Sequence, residues 1–198
     1  MPDRVKEGFG PNIKALQLLE RTHSLIICVD CGTLSHEAIE SLDASDLIVL
    51  DHHLASEILP KCHAVVNPNR QDELGDLSHL CAAAVVFLCL VEMRRLLRLS
   101  AEKSPDLLDM LDLVALATVA DVAPLVGVNR AFVRQGLKIL SSRKRIGLAA
   151  LSDQVKIDQE LSAYHLGFLL GPRLNAGGRI GKSDLGAQLL ISRDLEAA

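Results

Sequence analysis

Three short, uncharged apolar runs punctuate the first third of the chain: SLIICV at 24–29, LIVL at 47–50 and AVV at 64–66. Each stops at polar or turn-forming residues, namely Asp30-Cys31-Gly32, Asp51-His52-His53 and Asn67-Pro68. Runs of this length and character predict buried parallel strands. Pro68 closes the third, because proline has no N–H to give a sheet ladder. Between the first two runs, Ala38, Ile39 and Leu42 recur at helical spacing within 35–42. Ahead of the first run, Asn12 can cap a helix over 13–21 in which Ile13, Leu16 and Leu19 are apolar. Strand, helix and strand at such short intervals predict a parallel α/β sheet. A sheet of this kind ordinarily places a strand ahead of such an opening helix.

From Leu80 onward the periodicity becomes helical. One helix is predicted over 80–98. Ser104-Pro105-Asp106 is a start signal, with serine as cap, proline at the first helical position and aspartate near the positive end of the dipole. The helix it opens, over 105–119, is almost wholly apolar and so is expected to be buried; it runs into Asp121, with Pro124 beyond. A further helix over 129–141 turns Phe132, Val133, Leu137 and Leu140 inward. On another face it carries Arg130, Arg134 and Lys138, for which a plain solvated surface is the simpler reading. Glycines gather in GPRLNAGGRIG at 171–181. The expected fold is α/β, a parallel sheet flanked by helices and followed by a mainly helical portion. The expected division is 1–75 for the α/β part and 76–198 for the helical remainder.

Composition narrows the function. Of 198 residues, 49% are hydrophobic and 23% charged, which marks a globular chain and excludes a disordered one. The longest uncharged apolar run, Leu80 to Val91, is too short to span a bilayer, and MPDRVKEGFG has no leader pattern. A cytoplasmic protein that avoids membranes is therefore expected. Five cysteines, an odd number, argue against a disulfide framework. Cys28 and Cys31 form a C-x-x-C inside a strand-like run with no second pair, so buried free thiols are favoured over zinc or redox chemistry. Aromatic residues make up 3%, with no tryptophan and one tyrosine, which argues against a recognition surface built mainly from stacked rings. Net charge is −4, but residues 130–182 hold ten Lys/Arg against three Asp/Glu, a balance of +7 that leaves −11 on the rest. A basic segment joined to an acidic one suggests an anionic ligand at the first and metal or solvent at the second.

The candidate chemistry lies at the strand ends. Ligands of parallel sheets bind beyond the carboxyl ends of the strands, where Asp30 and Asp51-His52-His53 are placed. Neighbouring strands lie about 4.8 Å apart, so the side chains of Asp30 and His52 can meet. Asp121 ends a buried apolar helix, where a carboxylate is costly unless paired or metal-bound. Carboxylates and an imidazole without thiolates suit a hard or borderline divalent ion such as Mn²⁺ or Mg²⁺. Taken singly, Asp30 reads equally well as a turn residue, and the histidine pair reads better as solvated loop residues. Together, at coherent strand ends, they favour a metal.

At this point a resemblance emerges. VDCG at 29–32, LDHH at 50–53 and TVADV at 118–122 resemble successive motifs of the DHH phosphoesterase superfamily. GPRLNAGGR at 171–179 narrows the likeness to the RecJ-type single-strand-specific exonucleases, as do PDRVKEGFG at the start, NPNR at 67–70 and the stretch ADVAPLVGVNRAFVRQGL. The resemblance implies that Asp30 bridges two divalent ions, that His52 and Asp121 are further ligands, and that His53 contacts the scissile phosphate. It implies that Asp51 orients the histidines, and that Arg173, Asn175, Gly178 and Arg179 hold the DNA backbone. By the same resemblance the cofactor is Mn²⁺ or Mg²⁺ in a two-metal site, and the substrate is single-stranded DNA degraded 5′→3′ to mononucleotides. A single-strand-binding protein or helicase would be a further partner, and the setting would be DNA repair and recombination. Other activities of the superfamily are hydrolysis of short oligoribonucleotides or of cyclic dinucleotides. A catalytically dead nucleic-acid or partner-binding module is the reading from a different class.

One departure is serious. The family's first motif, a strand ending in Asp-x-Asp, supplies further metal ligands, and no Asp-x-Asp occurs in these 198 residues. Neither the family's C-terminal DHH-associated domain nor its oligonucleotide-binding barrel is represented. Cys31 stands where the family often has asparagine. The chain thus resembles the central and C-terminal part of a DHH domain. It is expected to hold only part of the metal site and to be inactive alone.

Overall fold

Residues 25–29, 46–50 and 64–66 pair side by side to build the platform on which the site stands. The computed structural model describes residues 7–8, 10–97, 105–180 and 182–194, and only the backbone of 178–180. Strands β1 (Leu25–Val29), β2 (Asp46–Leu50) and β3 (Ala64–Val66) form one sheet in that order. Both pairings are parallel, with Val29 opposite Leu50 and Leu50 opposite Val66. The first two strands therefore end level, and their following loops emerge side by side.

Helices α1 (Ile13–Glu20) and α2 (His36–Glu40) contribute Leu16, Ala38 and Ile39 to a core with Ile26, Cys28, Leu47, Val49 and Val65. The Asn12 carboxamide accepts from Ala15 N at 2.9 Å and caps α1 as expected. At the other end, the Glu20 carboxylate accepts from the backbone N–H groups of Asp43, Ala44 and Ser45 at 2.7–3.0 Å and ties α1 to the loop entering β2. The expectation of a fully buried β1 is corrected. Ile26 and Cys28 point into the core, but Leu25, Ile27 and Val29 are 47–50% exposed. A continuous apolar run does not reveal how many faces are covered, and the helices of this core lie against one.

The chain divides into two compact units at Cys89 and Leu90. The division falls within helix α3 (Ala82–Leu96). In the second unit, the expected start at Ser104 lies outside the described residues. Asp106 acts as the cap, accepting from Leu108 N at 3.0 Å. One 3₁₀ turn (Leu107–Met110) then leads into α4 (Leu111–Ala120), which is buried as expected. Helix α5 (Gly127–Ser141) packs closely on it. A Cβ added at Gly136 would lie 2.2 Å from the Leu111 carbonyl oxygen, so only glycine allows this approach. Val133 and Leu140 of α5 are buried, while Arg130, Arg134 and Lys138 are exposed.

Buried Asp112 accepts both Nε (2.7 Å) and Nη2 (3.1 Å) of Arg145, which fastens the loop before α6 (Ile146–Gln154) to α4. The glycine-rich stretch is helical. A π-helical segment (His165–Leu170) runs directly into α7 (Gly171–Ile180), and α8 (Leu185–Ile191) follows. Among the described residues, no helix is long and apolar enough to cross a membrane.

Candidate metal centre

The level ends of β1 and β2 bring the predicted residues together. Asp30 takes a left-handed backbone conformation (φ 61°) and donates its N–H to Leu50 O at 3.0 Å. Non-glycine residues held in this region cluster at functional sites. The turn continues through Gly32 at φ 113°, where a Cβ would also press on Val49 and Cys28 at 3.1–3.2 Å. This turn aims the Asp30 carboxylate at the DHH loop. Its Oδ1 lies 3.3 Å from His52 Nε2. One ligand atom from each of Asp30, His52 and His53 lies within 4.8 Å of the others. Among the described residues this group is the one whose geometry could hold a metal ion.

Each histidine is set by its other nitrogen. His52 Nδ1 donates to the Leu80 carbonyl at 3.1 Å, which leaves Nε2 to face Asp30. His53 Nδ1 donates to Asp51 Oδ1 at 2.7 Å, which fixes the tautomer and orientation of its ring. The two rings meet edge-on, with centroids 4.6 Å apart.

Asp51 is almost wholly buried, at 1% exposure. Besides the His53 ring, it accepts from His52 N at 2.8 Å and Thr33 N at 3.1 Å. Burial would push its carboxyl up. Hydrogen bonds from the Thr33 hydroxyl, the His53 ring and these backbone groups outweigh burial and hold it below the ordinary carboxylate range. Asp51 therefore stays ionised and fixes the imidazoles.

A polar frame not foreseen from the sequence locks the loop. Asn67 Nδ2 donates to the Thr33 hydroxyl (2.9 Å) and to the His53 carbonyl (2.8 Å). Asn69 N donates to Asn67 Oδ1 (2.7 Å), and Asn69 Nδ2 to the His52 carbonyl (2.6 Å). The NPNR segment was noticed as a motif without a role; here it braces the histidines from behind. Thr33 carried no sequence signal.

The donor set fits the expected ion. An exposed carboxylate with two imidazoles and no sulfur suits Mn²⁺ or Mg²⁺. The five cysteines are free; of the C-x-x-C pair, Cys28 is buried and Cys31 half-buried.

The other predicted residues lie in the second unit. Asp121 is the exposed residue just past the end of α4. The GPRLNAGGR segment comes to the same place. Ala120, beside Asp121, lines a cavity of about 280 Å³ with Gly167, Gly171, Pro172, Asn175 and Ala176. Arg173 is exposed and turns Nη1 back to the Leu169 carbonyl at 2.9 Å. Gly178 and Arg179 belong to α7, and their side-chain surroundings fall outside the described residues.

A parallel sheet with a DHH loop and an aspartate turn at its carboxyl edge defines the class. A family model described as "DHH family, N-terminal domain" matches residues 1–118, and the chain belongs to this family. Its curated relatives include the single-stranded-DNA-specific exonuclease RecJ of Dickeya dadantii. That protein is 38% identical over 210 residues, covering all of this chain and 36% of the relative. RecJ of Escherichia coli is 37% identical, with the same coverage. The chain thus spans about a third of the length of these relatives. A crystal structure of exonuclease RecJ bound to manganese matches the whole chain at a TM-score of 0.87 and 32% identity, over 49% of that structure. RecJ from Thermus thermophilus in complex with Mn²⁺ matches 93% of the chain at a TM-score of 0.80 and 31% identity, over 27% of that structure.

Proposed function

We propose that these residues are the metal- and phosphate-holding part of an exodeoxyribonuclease that degrades single-stranded DNA 5′→3′ to mononucleotides. The observation that carries this reading is the convergence of Asp30, His52 and His53, each with one ligand atom within 4.8 Å of the others. Relatives named as single-stranded-DNA-specific exonucleases support the choice of substrate. The setting we propose for it is DNA repair and recombination in the cytoplasm, with a single-strand-binding protein or helicase as partner.

Asp30 and His52 would hold a divalent ion. A Mn²⁺ or Mg²⁺ ion held there would supply Lewis-acid polarisation of a phosphoryl oxygen and a bound water of lowered pKa. His53, steadied by Asp51, directs Nε2 at the scissile phosphate and stabilises the charge that develops on it. Arg173, Asn175, Gly178 and Arg179 bind the DNA backbone; a guanidinium matches phosphate in two-point contact.

The test supplies the missing motif. The chain is joined to an upstream segment whose strand ends in Asp-x-Asp and incubated with 5′-phosphorylated single-stranded DNA and Mn²⁺. Release of 5′-mononucleotides that disappears in His52→Ala is the expected result. Release unaffected by His52→Ala, or no release at all, contradicts the proposal.

A further inference from the structure

Five aromatic residues are very few for a chain of 198, and a folded protein normally hides them. Phe87 is buried and Phe132 is half-buried. Tyr164 and Phe168, in contrast, are 59% and 70% exposed. They sit four residues apart, one turn along the helical stretch that leads into α7. Their rings are stacked, with centroids 5.1 Å apart and planes inclined by 25°. His165, buried beside them, meets the Tyr164 ring edge-on at 5.7 Å. Its Nδ1 accepts from Ser162 N at 3.0 Å, which fixes the turn carrying the pair. The result is a stacked and largely exposed aromatic pair.

The surroundings indicate what the step would take. Arg173 lies one turn further on, and its guanidinium reaches back to the carbonyl of Leu169, the residue after Phe168. A cation is thus held at the backbone one residue beyond Phe168, within the segment of charge +7. An apolar protein partner would not call for that charge. A single-stranded nucleic acid offers both complements, since its bases stack on aromatic faces while its phosphates pair with cations.

We infer that Tyr164 and Phe168 form a base-stacking platform for single-stranded DNA, with Arg173 holding an adjoining phosphate. The inference deepens the proposed function and rests on its choice of substrate. The platform is independent of the metal centre, because its residues read bases and need no ion.

The test runs on the full chain without divalent metal. The probes are a dT dodecamer and an abasic dodecamer with the same number of phosphates. Tyr164 is the one tyrosine, and tryptophan is absent, so tyrosine emission reports this site alone. Saturation with the dT oligomer is expected to quench that emission, and the abasic oligomer to leave it unchanged. Tyr164→Ala and Phe168→Ala are each expected to weaken dT binding about 10-fold while leaving abasic binding at the parental level. Tyr164→Phe, which keeps a ring, is expected to restore dT affinity. Arg173→Ala is expected to weaken both oligomers alike. Equal affinity of the parental chain for both oligomers, or unchanged dT binding in both ring-to-alanine variants, would overturn the platform. So would sedimentation showing that the pair is buried between two copies of the chain. Failure of the nuclease reading is separate, because it appears as missing metal-dependent release in the chain completed with Asp-x-Asp.

Discussion

Asp51 shows how one side chain can set a site it does not enter. Its two oxygens take hydrogen bonds from the backbone of Thr33 and His52 and from the His53 ring. An amide in its place would turn an N–H₂ group toward donors. We predict that Asp51→Asn lowers stability by about 1–3 kcal/mol, the penalty for buried polar groups left without partners, as read from urea unfolding. The variant is also expected to weaken Mn²⁺ binding, because the backbone N–H of the ligand His52 loses the Asp51 oxygen that positions it. The residues that face the ligand were legible in the sequence, since Asp30 and His52 follow apolar runs and strand spacing brings them together. The residues behind them were not. Thr33 and Asn67 are ordinary loop residues until the third strand returns Asn67 beneath the DHH loop, and that return depends on tertiary structure.

At the scale of elements, the three strands and the opening helix were legible because short apolar runs and an asparagine cap are local signals. Helices α6, α7 and α8 were not. IGLAALSDQ and LGAQLLI are short segments that were not recognised as helices, and α7 contains Gly171, Gly177 and Gly178, which disfavour helix in isolation. Packing overrides that preference. Leu148, Leu166 and Leu170 are buried in one core with Ala115 and Leu116 of α4. The Asp112–Arg145 pair fastens the same helix, with Asp112 2% exposed. We predict that Arg145→Met costs about 3–5 kcal/mol by thermal or urea unfolding, because it strands a buried carboxylate.

Glu20 gives a pH-dependent contact. The backbone N–H of Ala44, against an opposing effect of desolvation and with help from Ser45 and Asp43, holds its carboxyl below the ordinary value. A depressed folded-state value means that this contact contributes fully above the unfolded pKa, about 4.3, and is lost as pH falls through the folded value. Glu20→Gln is therefore expected to lower the melting temperature at pH 7, and the difference from the parent is expected to shrink as pH falls below the unfolded pKa.

At the scale of the whole molecule, the metal-capable group offers three donor atoms, enough for one ion held weakly. Two-metal phosphoryl chemistry needs a pair of ions about 3.5–4 Å apart. We predict that the 198 residues alone release nucleotides from 5′-phosphorylated single-stranded DNA at a negligible rate with Mn²⁺ present. Loss of a single comparable electrostatic element already costs about 10²–10³ in rate, and a whole ion should cost more. Robust release by the parent that vanishes in His52→Ala would show that the remaining residues assemble a working site.

The most direct measurement of the central claim is Mn²⁺ binding followed by electron paramagnetic resonance, on the parent chain and on Asp30→Asn and His52→Ala. We expect saturable binding of one ion per parent chain, weakened about 10-fold or more in each variant with the circular dichroism unchanged. Equal Mn²⁺ affinity in all three proteins would contradict the assignment of Asp30 and His52 as the metal centre.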